Sequence, residues 1–489
     1  MKTPVYVSQF PCGQVSRRRF LADLGMGFTG VALGATLAGD GIARAVAGTI
    51  VPRAKSVIWI FLSGGYSHVE TFDPKPALTK FAGMTFDKTP FENPLNSAKH
   101  HKRFRSVTSD EVNKRDVYPT IYPMQVGFKN YGQCGIGITD WWPQLAQCAD
   151  DIAWVRNMWT TDNDHFAENQ LHTGRHRLEE QQPCLGSWVH HGLGTLNENL
   201  PKFVVLGGPT DSTKRLSIDS LYLGPEHAAV PLKLDPNRPL AFGKRDDRQT
   251  ADEQKREYDI IGKLNHLTAT EYPEDASLRA RIHAYELAFR MQMAVPETLD
   301  LQTESDATRR LYGMDQPAPN GAGERLLAAR RLVERGVRFV QVYPSDTGKW
   351  DSHADLRKNH AGLCESVDLP IAGLLRDLRQ RGMLEETLVV FCTEFGRTPG
   401  METRSGHKDG RDHHPHGFTI WLAGGGTQGG VIHGETDELG YHALGEGHYV
   451  TDLHATTCHL LGLDLRALEI PGRKRLEMDH GRVIREVLA

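Results

Sequence analysis

Short, unbroken apolar runs alternate along this chain with polar turns and amphipathic stretches, and that alternation predicts its fold. Ser56 to Leu62 (SVIWIFL) is apolar at every second position on both faces and stops at Ser63, Gly64 and Gly65, as a buried strand with a tight turn at its carboxyl end would. Asp151 to Val155 and Phe203 to Leu206 repeat the form, the latter ending in Gly207 and Gly208. A helix over Glu324 to Arg335, closed by Gly336, leads into a strand at Val337 to Val342, and a helix from about Leu363 to Arg381, stopped by Gly382, leads into Leu388 to Cys392. Thr419 to Leu422 follows as a strand before Gly424, Gly425 and Gly426, and Asp452 to Leu461 is the last helix, with Thr451 as its cap. Strands buried on both faces and alternating with helices give an α/β fold class, with a mostly parallel central sheet flanked by helices.

Two stretches break the alternation. From about Thr79 to Gly135 the chain is polar and without periodicity, which predicts irregular structure covering a site. From about residue 231 to 312 it is charged and helix-favouring, which predicts a helical insertion or cap; in Arg279 to Met293, Ile282, Tyr285, Leu287, Ala288 and Met291 keep helical spacing. No repeat of 20 to 50 residues occurs, so a solenoid or propeller is not expected.

Composition adds bounds. The 489 residues are 39% hydrophobic and 24% charged, enough to bury a sizeable core, and a net charge of −4 gives no reason to expect a nucleic-acid partner. The first 47 residues stand apart: Ser16, Arg17, Arg18, Arg19, Phe20 and Leu21, an apolar Gly/Ala-rich run from Leu24 to Leu37, and small residues up to Ala47 read as a twin-arginine export signal. Asp40 and Arg44 interrupt that run, so it is too short for a membrane span, and no later stretch in the mature chain is apolar enough for one. The expectation is therefore a signal peptide over 1–47, an α/β domain over 48–489 and a periplasmic or extracellular location. Six cysteines follow the signal, at spacings that match no zinc motif or disulfide framework.

Candidate chemistry gathers after two strands near the carboxyl terminus. The first cluster is Asp351, His353, Asp355 and His360; the second is Glu394, Arg397, Asp412, His413, His414 and His416. Loops at the carboxyl ends of parallel strands are where an α/β sheet places ligands. Carboxylate oxygen with imidazole nitrogen suits a divalent transition metal (zinc, manganese or iron, with zinc or manganese expected first) better than calcium. Arg397 would hold an anion by its planar two-pronged guanidinium, or else form an ion pair with Glu394. The glycine-rich turns have no nucleotide-binding spacing, and no G-x-S-x-G elbow occurs.

The segments SRRRFL, SGGYSHVETFDPKP, WVRNMWTTDNDH, LHTG, WDSHADLRKNH, TEFGRTP, GRDHHPHGF and DLHATTCHLLGLD, in this order over nearly the whole mature chain, resemble the domain-of-unknown-function 1501 family, which is grouped with the alkaline phosphatase and sulfatase superfamily. The resemblance implies an alkaline phosphatase/sulfatase-like sheet with one or two metal ions at the strand ends. It implies that Asp351, His353, Glu394 and His413 hold metal, that Arg397 stabilises an anionic group, and that His165 is an acid or a second-site ligand. Phe395 stands where the superfamily strand end carries a ligating His. The first strand ends in Ser63 where an acid is usual, so Glu70 or Asp73 would have to reach back. Leu171, His172, Thr173 and Gly174 keep the tail of the sulfatase nucleophile motif, but Asp164 occupies its Cys position, which makes direct attack by an activated water the implied route. The implied function is an exported metal-dependent hydrolase acting on a small-molecule or glycan ester of phosphate or sulfate. The alternative is an inactive scaffold that binds a glycan or cell-surface partner.

Overall fold

In a computed structural model, residues 50–489 are described apart from 98–117, 210–211, 236–249, 273–281, 283–289, 292–293, 316–320, 404–408, 469 and 471–479. The expected export signal, and most of the helix expected over Arg279 to Met293, lie outside the described residues. Residues 50–489 form one compact unit.

The apolar runs become the strands of one nine-stranded sheet. They are β1 (Ser56–Phe61), β2 (Ile152–Trp159), β3 (Phe203–Leu206), β4 (Val230–Leu232), β5 (Phe339–Val342), β6 (Thr387–Cys392), β7 (Phe418–Ala423), β8 (Val431–His433) and β9 (His448–Tyr449). Their order is β8-β2-β7-β6-β1-β5-β3-β4, with β9 also on β2. β1 lies in parallel register between β5 and β6. The period of two along β1 sends Ile58 and Ile60 into one core, with Leu326 and Val367, and Val57, Trp59 and Phe61 into another, with Val189 and Leu453. Both faces are therefore covered, which is why the strand is apolar throughout.

One strand runs against the rest. β7 is antiparallel to both β6 and β2. A parallel return needs a crossover, usually helical, and residues 393–417 hold no helix among those described. Hydrophobicity alone is blind to this direction. Across the antiparallel pair Trp421 stacks on its register partner Phe391, with ring centroids 4.9 Å apart.

The helices that matter for the site are α1 (Ala167–Thr173), α2 (Ala251–Glu271), α3 (Ala322–Glu334), α4 (Leu356–Gln380) and α5 (Val450–Leu460). α4 starts a full two turns before the expected Leu363, directly after Asp355, and continues through Pro370. α5 is preceded by Tyr449, so Thr451 lies inside it and is not its cap. The expected insertion begins inside β4, whose edge position is part of the sheet, and continues into α2, closed at its start by a capping box between Thr250 and Glu253. Among the described residues no helix is long and apolar enough to cross a membrane.

Candidate metal centre at the strand ends

The carboxyl ends of β1, β2, β5 and β6 share one edge of the sheet, because β2 is antiparallel to β7 and β7 to β6. Three loops leave that edge and meet. The β5–α4 loop carries Asp351 and His353, the loop after β6 carries Glu394 and Arg397, and the β2–α1 loop carries His165. His413 joins them through a two-residue antiparallel ribbon in which it pairs with Arg397. The turn after β1 is tight by necessity: a Cβ on Gly64, whose φ is +119°, would lie 2.5 Å from the Asp351 backbone nitrogen.

Three ligand atoms converge. Asp351 Oδ1 is 3.0 Å from His353 Nε2 and 3.1 Å from His413 Nε2, and the two Nε2 atoms are 3.2 Å apart. Each imidazole is fixed from behind. His413 Nδ1 donates to the Asn163 carbonyl at 2.6 Å, and His353 Nδ1 donates to Glu402 Oε2 at 2.6 Å. With Nδ1 protonated, each neutral ring turns a bare Nε2 toward the same carboxylate oxygen. Three lone pairs so close require a positive centre: a proton on His353 or a cation. Burial works against charge on His353, but Asp351 and Glu402 overcome it and raise its pKa, whereas burial keeps that of His413 low. The near-equilateral triangle is also close to the ligand edge of a tetrahedral zinc site, about 3.3 Å for bonds of about 2.0 Å. Imidazoles whose far nitrogens are held by a carboxylate and a carbonyl are in the arrangement that orients metal ligands. The donor set therefore fits a divalent metal.

His165 closes the open side, its Nε2 3.0 Å from Asp351 Oδ2 and its Nδ1 3.5 Å from Glu394 Oε1. Its side chain is 30% exposed and that of Asp351 22%, whereas those of Glu394 and Arg397 are fully buried. Burial opposes the charge on His165, yet the two carboxylates prevail and hold its pKa at about 9. Burial alone would raise the Asp351 carboxyl; Arg397 and the three imidazoles outweigh it and hold it far below the ordinary carboxylate range. Among the described residues, His165, Asp351 and His413 form one group able to hold a metal, and His353, Asp412 and His413 another.

Four of the residues expected from the sequence, Asp351, His353, His413 and His165, are thus brought together. Glu394 lies behind them: Oε1 accepts from Gly64 N at 2.7 Å and Oε2 from Thr393 Oγ1 at 2.9 Å, and it enters neither metal-capable group. Arg397 is not paired with Glu394. It donates to Asp351 Oδ1 at 2.7 Å and to the carbonyls of Gly64, Gly65 and Arg411, so that its guanidinium is held within the protein beneath Asp351. Phe395 packs its ring on His413, with centroids 4.4 Å apart.

Other candidates fall elsewhere. Glu70 is sealed against Arg411 at 2.7 Å, and Asp73 against Lys75 and Arg156, so neither reaches back to the cluster. Ser63 Oγ donates to Glu168 at 2.7 Å and accepts from Gly348 N. Asp355 takes the helix-start position of α4 with φ +50°, His360 accepts from Ser67 N inside the core, and His414 and His416 pack around Tyr441. Asp164 points outward to Arg177. Glu402 and the Asn163 carbonyl were not legible beforehand. Glu402 lies eight residues past Glu394 with no metal-ligand spacing to mark it, and a backbone carbonyl leaves no mark in residue types.

The family described as "Protein of unknown function (DUF1501)" matches residues 54–488. No curated protein matches the chain. Solved structures resemble it distantly. "Ps i-CgsB in complex with k-i-k-neocarrahexaose" is 11% identical, with 83% of this chain and 72% of that one covered and a TM-score of 0.34. The PsFucS1 sulfatase from Pseudoalteromonas sp. is 12% identical, with 67% and 63% covered and a TM-score of 0.31.

Proposed function

For this chain, which belongs to the DUF1501 family through residues 54–488, we propose the function of an exported metal-dependent hydrolase acting on a phosphate or sulfate ester of a small molecule or glycan. One observation carries the reading: the bare Nε2 atoms of His353 and His413 and Asp351 Oδ1 converge within 3.0–3.2 Å, each ring oriented by an acceptor at its far nitrogen. Asp351, His353 and His413 would hold the ion, zinc or manganese by their nitrogen and oxygen donors, with His165 or Asp412 available to a second. Bound there, a divalent ion supplies Lewis acidity toward an ester oxygen and lowers the pKa of water.

The chain's own residues do the rest. Arg397 positions Asp351 and keeps it ionised. When His165 holds no second ion, Glu394 and Asp351 together keep a proton on it, and as the most open member of the cluster it can deliver that proton to a leaving group. Phe395 excludes water from the buried face of His413. Export rests on the twin-arginine stretch Ser16–Leu21, which makes the periplasm or cell exterior the proposed location.

Binding without turnover remains a second reading because Ser63, at the strand end where the superfamily carries an acid, is engaged by Glu168 and Gly348. The test is metal analysis of the purified mature protein, followed by a panel of aryl phosphates and sulfates. The hydrolase reading expects bound transition metal and turnover of one ester class that His413→Ala abolishes. Metal without turnover of any ester selects the binding reading, and protein that neither carries nor takes up zinc or manganese rejects the hydrolase reading.

A further inference from the structure

A second pair of imidazoles lies on the edge of the sheet. β8 and β9 follow one another along β2, with His433 in register with Val155 and His448 with Met158. Their Nε2 atoms face each other at 2.8 Å, and the ring centroids are 5.0 Å apart. His448 Nδ1 lies 2.8 Å from Asp452 Oδ2, in the first turn of α5, and donates to it. With Nδ1 turned to Asp452, the His448 ring points its Nε2 at its neighbour. A third group arrives from the end of the chain: Glu486, in the turn Arg485–Val487, brings a carboxylate oxygen such that one atom from each of the three residues lies within 4.8 Å of the others.

Two explanations compete for the short nitrogen–nitrogen distance. A single N–H···N bond would satisfy the two rings and assign Glu486 no part. A cation would use all three groups, and it has the feature that an N–H···N bond does not need, a carboxylate behind the far nitrogen of the ligating ring. We propose that His433, His448 and Glu486 form a second metal site, for a divalent transition ion of zinc's preferences, with Asp452 orienting His448.

Two imidazoles and one carboxylate make a borderline donor set that favours zinc over magnesium or calcium, and the partly exposed surroundings leave a position for water. The ligands come from three separate segments. Leu488 bridges Thr427 and Ala489 N donates to Gly426 O, so the ion would fasten an already docked carboxyl-terminal segment to the sheet edge formed by β8 and β9. The site stands independently of the proposed hydrolase activity.

Equilibrium titration of full-length, metal-stripped protein with zinc tests it. In an Asp351→Ala/His413→Ala background, which removes two of the three strand-end ligands, one equivalent should still bind. Adding Glu486→Gln should weaken that binding at least tenfold, adding His433→Ala should abolish it, and adding Asp452→Asn should weaken it about 10–100-fold. Zinc should also slow amide exchange at Arg485–Leu488 in the background protein and not in the Glu486→Gln variant. A folded background protein that binds no zinc would overturn the proposal. So would an unchanged affinity in Glu486→Gln, which keeps the size of the side chain and decides the matter should His433→Ala fail to fold.

Discussion

Two arginines fourteen positions apart in the loop after β6 each meet a carboxylate, and the two pairs behave differently. Arg411 and Glu70 are both fully buried and pair at 2.7 Å, and Arg411 spends its remaining donors on the carbonyls of Thr398, Pro399, Tyr122 and Pro123. Charge and hydrogen bonds balance, and nothing further can enter. Arg397 is equally buried, but its partner Asp351 stays 22% exposed and collects three imidazoles as well. One guanidinium cannot satisfy that many acceptors. The difference between a structural ion pair and a candidate site is therefore an excess of converging, partly open ligand atoms, and it can be broken experimentally from either side.

The largest effect should come from the sealed pair. Arg411→Met leaves Glu70 buried without its cation, and urea unfolding should show a loss of about 3–5 kcal/mol. A Glu70→Leu/Arg411→Met protein should recover most of it. Failure of the double variant to recover would mean that the arginine acts mainly through the four carbonyls. Folded Arg411→Met protein should keep its metal affinity.

Asp351→Ala should do the reverse, weakening zinc binding at the strand-end site by more than about 100-fold, the upper range for loss of a supporting hydrogen bond. Calorimetric titration reads this directly, and retained affinity would move the ligand role to Asp412. Glu402→Gln keeps the shape behind His353 while removing a carboxylate, and affinity should fall about 10–100-fold. An unchanged value would show that the His353 ring is oriented by something else.

The last prediction concerns imidazoles outside the cluster. Burial holds His172 and His454 at about 4, each with a ring nitrogen at a backbone carbonyl. Both must stay neutral in the fold but take up a proton on unfolding below about pH 6.5. Their contribution is complete above that pH and is lost as pH falls from about 6.5 toward 4, at up to about 1.4 kcal/mol per pH unit for each residue. Chemical unfolding at several pH values should show this slope, and His454→Gln should reduce it; a slope that persists unchanged would assign it to other groups.

Much of the fold was legible because β1, β3, β5 and β6 are buried on both faces, and burial leaves an unbroken apolar signature. The direction of β7 was not, since an antiparallel strand in a covered sheet looks the same. The cluster at Asp351, His353 and His413 was legible from residue type after a strand. The role of Arg397 was not, because a guanidinium that supports a carboxylate and one that grips a substrate have the same spacing. Glu394 followed the expected loop but turned toward Gly64 and Thr393, whose hydrogen bonds no pattern of side chains announces.

Zinc stoichiometry of the metal-stripped protein, measured near neutral pH against a His353→Ala/His413→Ala variant, is the most direct test of the strand-end site. The intact chain should bind at least one equivalent more than the folded variant. Equal stoichiometry and affinity in the two proteins would mean that the converging imidazoles are held together by a proton on His353 and not by a metal.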